Sequence, residues 1–189
     1  EFFKSLANDL KSIKKTILIE PQNEMLKYLF LLKNKLPEIE FEIEDYALGS
    51  KKGTKEIKIN SLSSTSTLAR INNKSKWFKF KKLLLISSRK KLIKKKTVLI
   101  DTLDNLIEKN KIKKIDLLKV DTEGFEYEVL KGAKKLLKFK KIKVIMIEKQ
   151  LSSMYLNYNF EKVEKILEKN GFLLLKKIRF PLALFEDRI

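Results

Sequence analysis

Three acids stand close together in the middle of the chain: Asp121, Glu123 and Glu126. They follow an apolar run, Ile115 to Val120, that is interrupted by Asp116 and Lys119 and stops at Asp121. Gly124 sits among them. Downstream, Val129, Leu130, Ala133, Leu136 and Leu137 fall on one face of a helical pattern. The order is a strand, a tight turn carrying acids, and a covering helix. In an open α/β sheet, ligands bind beyond the carboxyl ends of the strands. Asp121 and Glu123 therefore stand where a carboxylate can take a proton from a bound group. The plain alternative is that both cap the following helix, whose dipole also favours acids at that end. By strand alternation Lys119 shares a face with Asp121. A pairing there would lower the acid's pKa and weaken it as a base.

A further acid, Glu20, ends the short apolar run Thr16-Ile-Leu-Ile-Glu20, and Pro21 stops it. An acid at the tip of the second strand of a Rossmann-like sheet accepts hydrogen bonds from both ribose hydroxyls of a nucleotide cofactor. The alternative is a solvated strand end. Such a ribose acid lies about 20 residues beyond a glycine-rich turn. Here that distance reaches back to the start of the sequence, and the first glycine is Gly49. The expectation is a fragment that lacks the first strand and the Gly-rich loop.

Composition narrows the chemistry. The 189 residues suffice for one domain with a sizeable core. There is no histidine and no cysteine, which removes Ser-His-Asp and Cys-His catalysis, disulfides and thiolate or imidazole zinc sites. Acid–base work falls to carboxylates, Lys or Tyr. A Mg²⁺ held by Asp121, Glu123 and Glu148 is the weaker use of the same acids, and no metal is expected. The net charge of +19 invites a nucleic-acid reading. Only four of the 43 basic residues are Arg, namely Arg70, Arg89, Arg179 and Arg188. Arg is the side chain suited to bidentate phosphate contacts, so compositional bias explains the charge better and a nucleic-acid partner is not expected. No apolar run approaches the roughly 18 residues of a membrane span and no signal peptide is visible, so no transmembrane segment and a cytoplasmic location are expected.

The elements that must position these acids follow in chain order. Phe2, Phe3, Leu6, Leu10 and Ile13 have helical spacing, and Asn23 to Lys35 forms a second helix before Pro37. Ile39, Phe41 and Ile43 alternate with Glu40, Glu42 and Glu44 as a strand. Asp45-Tyr-Ala-Leu-Gly49 and a turn follow, and Thr54 to Asn60 is expected to pair with that strand as a hairpin. Ser61 to Thr67 reads as a solvated, hydroxyl-rich loop. Lys74 to Lys96 interleaves Trp77, Phe78 and Phe80 with basic residues. It reads as an insertion, spanning about 70–96 with its flanks, or as a surface for single-stranded bases or anionic lipid. Thr97 to Asp101 is a strand, with Asp101 or Thr102 capping the next helix. Ile142 to Ile147 is a strand ended by Glu148, and Phe160 to Asn170 is a helix closed by Gly171. Phe172 to Leu175 and Leu182 to Phe185 are candidate last strands. This alternation argues for a doubly wound, mainly parallel sheet.

Lys119-Val-Asp-Thr-Glu-Gly-Phe-Glu126, continued by Val129-Leu-Lys-Gly-Ala133, resembles the signature of the FkbM-type S-adenosylmethionine-dependent methyltransferases. The likeness extends to Glu20-Pro21, to Ala47-Leu-Gly49 and to Thr102-Leu-Asp104. The resemblance implies a Rossmann-like class I methyltransferase, read as a single domain over 1–189. Its cofactor would be S-adenosyl-L-methionine and its acceptor a small hydroxyl-bearing molecule such as a sugar. It implies that Glu20 binds the ribose, that Asp45 accepts from the adenine amino group, and that Tyr46 or Ala47 flanks the ring. Asp121 would stand at the methionine end, with Asp121 and Glu123 as catalytic acids. The rival readings are a non-catalytic Rossmann-like domain, in which the missing glycine loop is real, and a nucleic-acid or anionic-surface binding domain using the Lys-rich insert.

Overall fold

The computed structural model describes residues 13–59, 66–76, 79, 94–150, 152–179 and 185–188. The first predicted helix, most of the hydroxyl-rich loop and most of the basic–aromatic insert lie outside them. The chain divides into two compact units, Glu1–Ala47 and Leu48–Ile189.

The first unit is a strand–helix–strand segment: β1 (Lys15–Ile19), α1 (Asn23–Lys35) and β2 (Glu40–Glu44). β1 and β2 are parallel, with Ile19 opposite Glu44, and the Glu20 N–H extends the ladder to the Glu44 carbonyl at 3.0 Å. Pro37 cannot continue a helix, and α1 ends just before it. Ile39 and Phe41 are buried while Glu40 is exposed, the alternation expected of a strand with one apolar face.

The second unit carries two sheets. One has the order β3–β5–β4, from β3 (Ala47–Leu48), β4 (Gly53–Ile59) and β5 (Lys94–Asp101). The expected hairpin is corrected here. β4 pairs antiparallel with β5, Ile57 opposite Lys96, whereas β2 is taken by β1. Alternation identified the strand but carries no information on its partner. The other sheet has the order β6–β7–β9–β8, from β6 (Ile115–Val120), β7 (Ile142–Lys149), β8 (Lys176–Arg179) and β9 (Phe185–Arg188). β6 and β7 are parallel, whereas β9 runs antiparallel to both β7 and β8. The architecture is thus mixed α/β, with β1–β2 and β6–β7 as parallel pairs, and its last strands lie a few residues downstream of their expected places.

The signature helix is also corrected: it is two short helices, α3 (Glu126–Lys131) and α4 (Lys134–Lys138), broken at Gly132. The five apolar residues assigned to it are nevertheless all buried. α2 (Leu103–Lys109) packs on α4, and α3 packs on α5 (Phe160–Lys169). Thr102 caps α2 by accepting from the Asn105 N–H at 3.1 Å. Asp104, on α2, accepts from the Lys135 and Leu136 N–H groups at 2.8 and 3.1 Å, so one helix caps the next. In α5, Phe160, Val163 and Leu167 share the buried face. Among the described residues, no helix is long and apolar enough to cross a membrane.

Candidate functional site

Each unit presents acids at the carboxyl ends of its parallel strands. In the first unit, Glu20 follows β1 and Asp45 follows β2, side by side in the register. Glu20 is half-buried, and Oε1 accepts from the Gln22 N–H at 2.8 Å, which shapes the Pro21 turn into α1. Burial pushes the Glu20 carboxyl above its usual range, and the Gln22 N–H only partly opposes this. Asp45 is exposed, Tyr46 half-buried and Ala47 buried.

In the second unit Asp121 follows β6 and Glu148 lies near the end of β7, one residue beyond the register pair Val120–Ile147. The Lys119 ammonium lies 3.1 Å from Asp121 Oδ2, so the expected pairing on one strand face is present. This ion pair is partly exposed, so its use is to orient Asp121 rather than to add much stability. Burial first, and then the Asp121 carboxylate that accepts its hydrogen bond, hold Glu148 well above the usual carboxylate range. Asp121 and Glu148 thus form a carboxylate–carboxyl pair at the strand ends. Among the described residues, no group of three or more acids is arranged to hold a metal ion.

The turn after Asp121 has an uncommon backbone. Glu123 has φ 50°, in the left-handed region, and Gly124 follows at φ 96°. A Cβ on Gly124 would stand 2.8 Å from the Tyr155 ring and 3.2 Å from the Ala69 Cβ, so only glycine fits both the angle and the space. Neither Asp121 nor Glu123 caps α3; its N-cap is Phe125, with no side-chain cap bond. Asp121 is turned to Lys119, and the Glu123 carboxylate accepts from the Tyr155 phenol. Capping as the alternative use of these acids is therefore set aside.

Glu126 does the local work instead. It is 0% exposed, and its Oε1 accepts from the Thr122 N–H at 3.2 Å, the Thr122 hydroxyl at 3.3 Å and the Gly124 N–H at 3.0 Å. Its Oε2 is buried without a hydrogen-bond partner among the described residues. Desolvation raises its pKa to about 7, against the pull of these donors.

Sequence reasoning missed three contributors. Tyr155 was assigned nothing, and no spacing marks it. Thr67 was placed in a solvated loop, yet it is 2% exposed and donates to the Glu123 carbonyl at 2.6 Å. Glu126 stands in the sequence as one more acid, although Thr122 one helical turn before it is the signal of a side chain folding back on its own turn.

The same residues tie the signature to its flanks. The Gly49 N–H donates to the Asp101 carbonyl at 2.9 Å, and the Asp104 N–H donates to the Gly132 carbonyl at 3.0 Å. Ser50 donates to Glu128 at 2.6 Å. Three separated sequence elements, around 49, 102 and 132, therefore meet beside the turn. No curated protein and no solved structure matches the chain. The family model described as the Methyltransferase FkbM domain matches residues 2–174. A match over that length runs through both acid-bearing strand pairs and the turn after β6, and the chain belongs to the FkbM methyltransferase family.

Proposed function

We propose that the chain is part of an S-adenosylmethionine-dependent methyltransferase that methylates a hydroxyl of a sugar or similar small acceptor. The observation that carries this reading is the set of acids at the carboxyl ends of both parallel pairs, within a chain of this family. Because the family match crosses from one unit into the other, we read residues 1–189 as a single Rossmann-like domain.

Glu20 suits the ribose of the cofactor. Its carboxylate takes the Gln22 N–H and the Gln22 side chain as donors and is only half-buried, so it is open to further donors. A ribose diol supplies two O–H donors, which would stabilise the ionised form that burial disfavours. Asp45, beside it, is the acceptor for the adenine amino group, with Tyr46 or Ala47 flanking the ring. Asp121 is the residue assigned to the methionine end. When bound, the sulfonium supplies an already activated methyl group, leaving the protein to align the acceptor and dispose of its proton. Asp121 and Glu123 are the groups assigned to that proton, Asp121 oriented by Lys119 and Glu123 by Tyr155.

Calorimetric titration of the complete protein, of which this chain is part, with S-adenosylmethionine tests the reading. Binding is expected, and Glu20→Ala should weaken it roughly ten- to a hundredfold, the value of one or two charge-assisted hydrogen bonds. Equal affinity in the two proteins would remove Glu20 from the site. No binding by the complete wild-type protein would remove the cofactor.

A further inference from the structure

The turn that carries Glu123 is held by two segments far away in sequence. Residues 66–72 and 153–156 are zipped together: Ile71 bridges Tyr155, the Asn72 N–H donates to the Met154 carbonyl at 2.9 Å, and the Leu156 N–H donates to the Arg70 carbonyl at 2.6 Å. Asn72 adds a side-chain bond to the Ser153 carbonyl at 3.0 Å. Thr67 is anchored in turn to Lys58 of β4 by two backbone hydrogen bonds of 3.0 and 3.1 Å. From this double segment Thr67 grips the Glu123 carbonyl, and Tyr155 grips its carboxylate.

Packing explains the Tyr155 ring, which is buried against Ile71 and Met154 and leaves room only for glycine at 124. Packing does not explain the oxygen, since phenylalanine would fill the same space. Nor does it explain why a residue with a side chain stands at φ 50°, a conformation costing on the order of 1 kcal/mol or more. Strain of this kind persists where surrounding structure over-determines it, and here both the main chain and the side chain of Glu123 are gripped. The cost is met at an acid next to Asp121.

We propose that Tyr155 is a positioning residue of the methyl-transfer site, its phenol O–H fixing the Glu123 carboxylate in the orientation from which it meets the acceptor hydroxyl. This rests on the methyltransferase reading above. The titratable groups around the phenol are Glu123, Glu126 and Tyr158. Burial first, and then the charge of Glu123, hold the phenol well above its usual range, so that it remains a donor wherever Glu123 is ionised.

Tyr155→Phe keeps the ring over Gly124 and deletes only the oxygen. Side-chain carboxyl resonances of ¹³C-glutamate-labelled chain would be followed against pH in wild type and Tyr155→Phe, with Glu123→Gln identifying the Glu123 signal. The Glu123 midpoint should rise by on the order of one pH unit in Tyr155→Phe, as a donor to its charged form is lost. A midpoint that does not move would reduce Tyr155 to packing and overturn the proposal. Calorimetry with S-adenosylmethionine on the complete protein, wild type and Tyr155→Phe, separates the failures. Equal binding is expected, because the phenol grips Glu123 and not the residues assigned to the cofactor. Loss of binding in Tyr155→Phe alone would mean a general disturbance and overturn the positioning role. A complete wild-type protein that does not bind would sink the methyltransferase reading itself, and the positioning role with it.

Discussion

Gly132 lies against the main chain of Gly49 so closely that a Cβ on it would stand 2.0 Å from the Gly49 carbonyl oxygen. On its other side its carbonyl accepts from the Asp104 N–H. The break between α3 and α4 is therefore the point where a signature glycine admits a neighbouring chain.

Gly132→Ala should be strongly destabilising for that reason alone, since the clash is with backbone that cannot rotate away. Overpacking of this kind costs roughly 3 kcal/mol at its upper end, equivalent to about 10 °C in the thermal midpoint of a chain this long. A circular-dichroism melt within a degree or two of wild type would show that the junction is looser than described.

Glu126 makes stability depend on pH. Its native pKa is about 7 against an ordinary value of 4.5, so between those values the native state binds more protons than the unfolded chain. Its contribution is fully present below about pH 4.5 and is lost as pH rises through about 7, up to roughly 3 kcal/mol in all. Glu126→Gln keeps an acceptor for the Thr122 and Gly124 donors but cannot ionise. The difference between the two proteins in urea melts should therefore change across pH 4.5–7. A constant difference would mean that Glu126 is not desolvated.

Glu148 is raised by burial and by Asp121. Asp121→Asn removes that charge, so the Glu148 carboxyl resonance should titrate at lower pH than in wild type. An unmoved midpoint would separate the two acids and leave burial and the Glu123 charge as the causes.

The acids at the strand ends were legible because a strand writes its end into the sequence: an apolar run that stops at a charge, as at Glu20, Asp121 and Glu148. The pairing of Lys119 with Asp121 was legible for the same reason, as it needs only the period of two. What was not legible depends on contacts across long separations. The pairing of β4 with β5 rather than β2, the burial of Thr67 and the grip of Tyr155 on Glu123 join segments whose local patterns carry no trace of one another. The split of one helix into α3 and α4 was hidden because the buried face runs on across the break, while the cause, the Gly49 backbone, lies elsewhere in the chain.

The double grip on Glu123 also bears on how the chain reaches its native state. Its two bonds close intervals of 56 and 32 residues, and each closure costs entropy that only the finished contacts repay. β6 can pair with β7 before residue 155 is reached, but the left-handed turn after β6 cannot be held until residues 67 and 155 have both arrived. The turn is thus completed late, and a nascent chain that has not yet emerged past Tyr155 carries the acids without the shape that makes them a site.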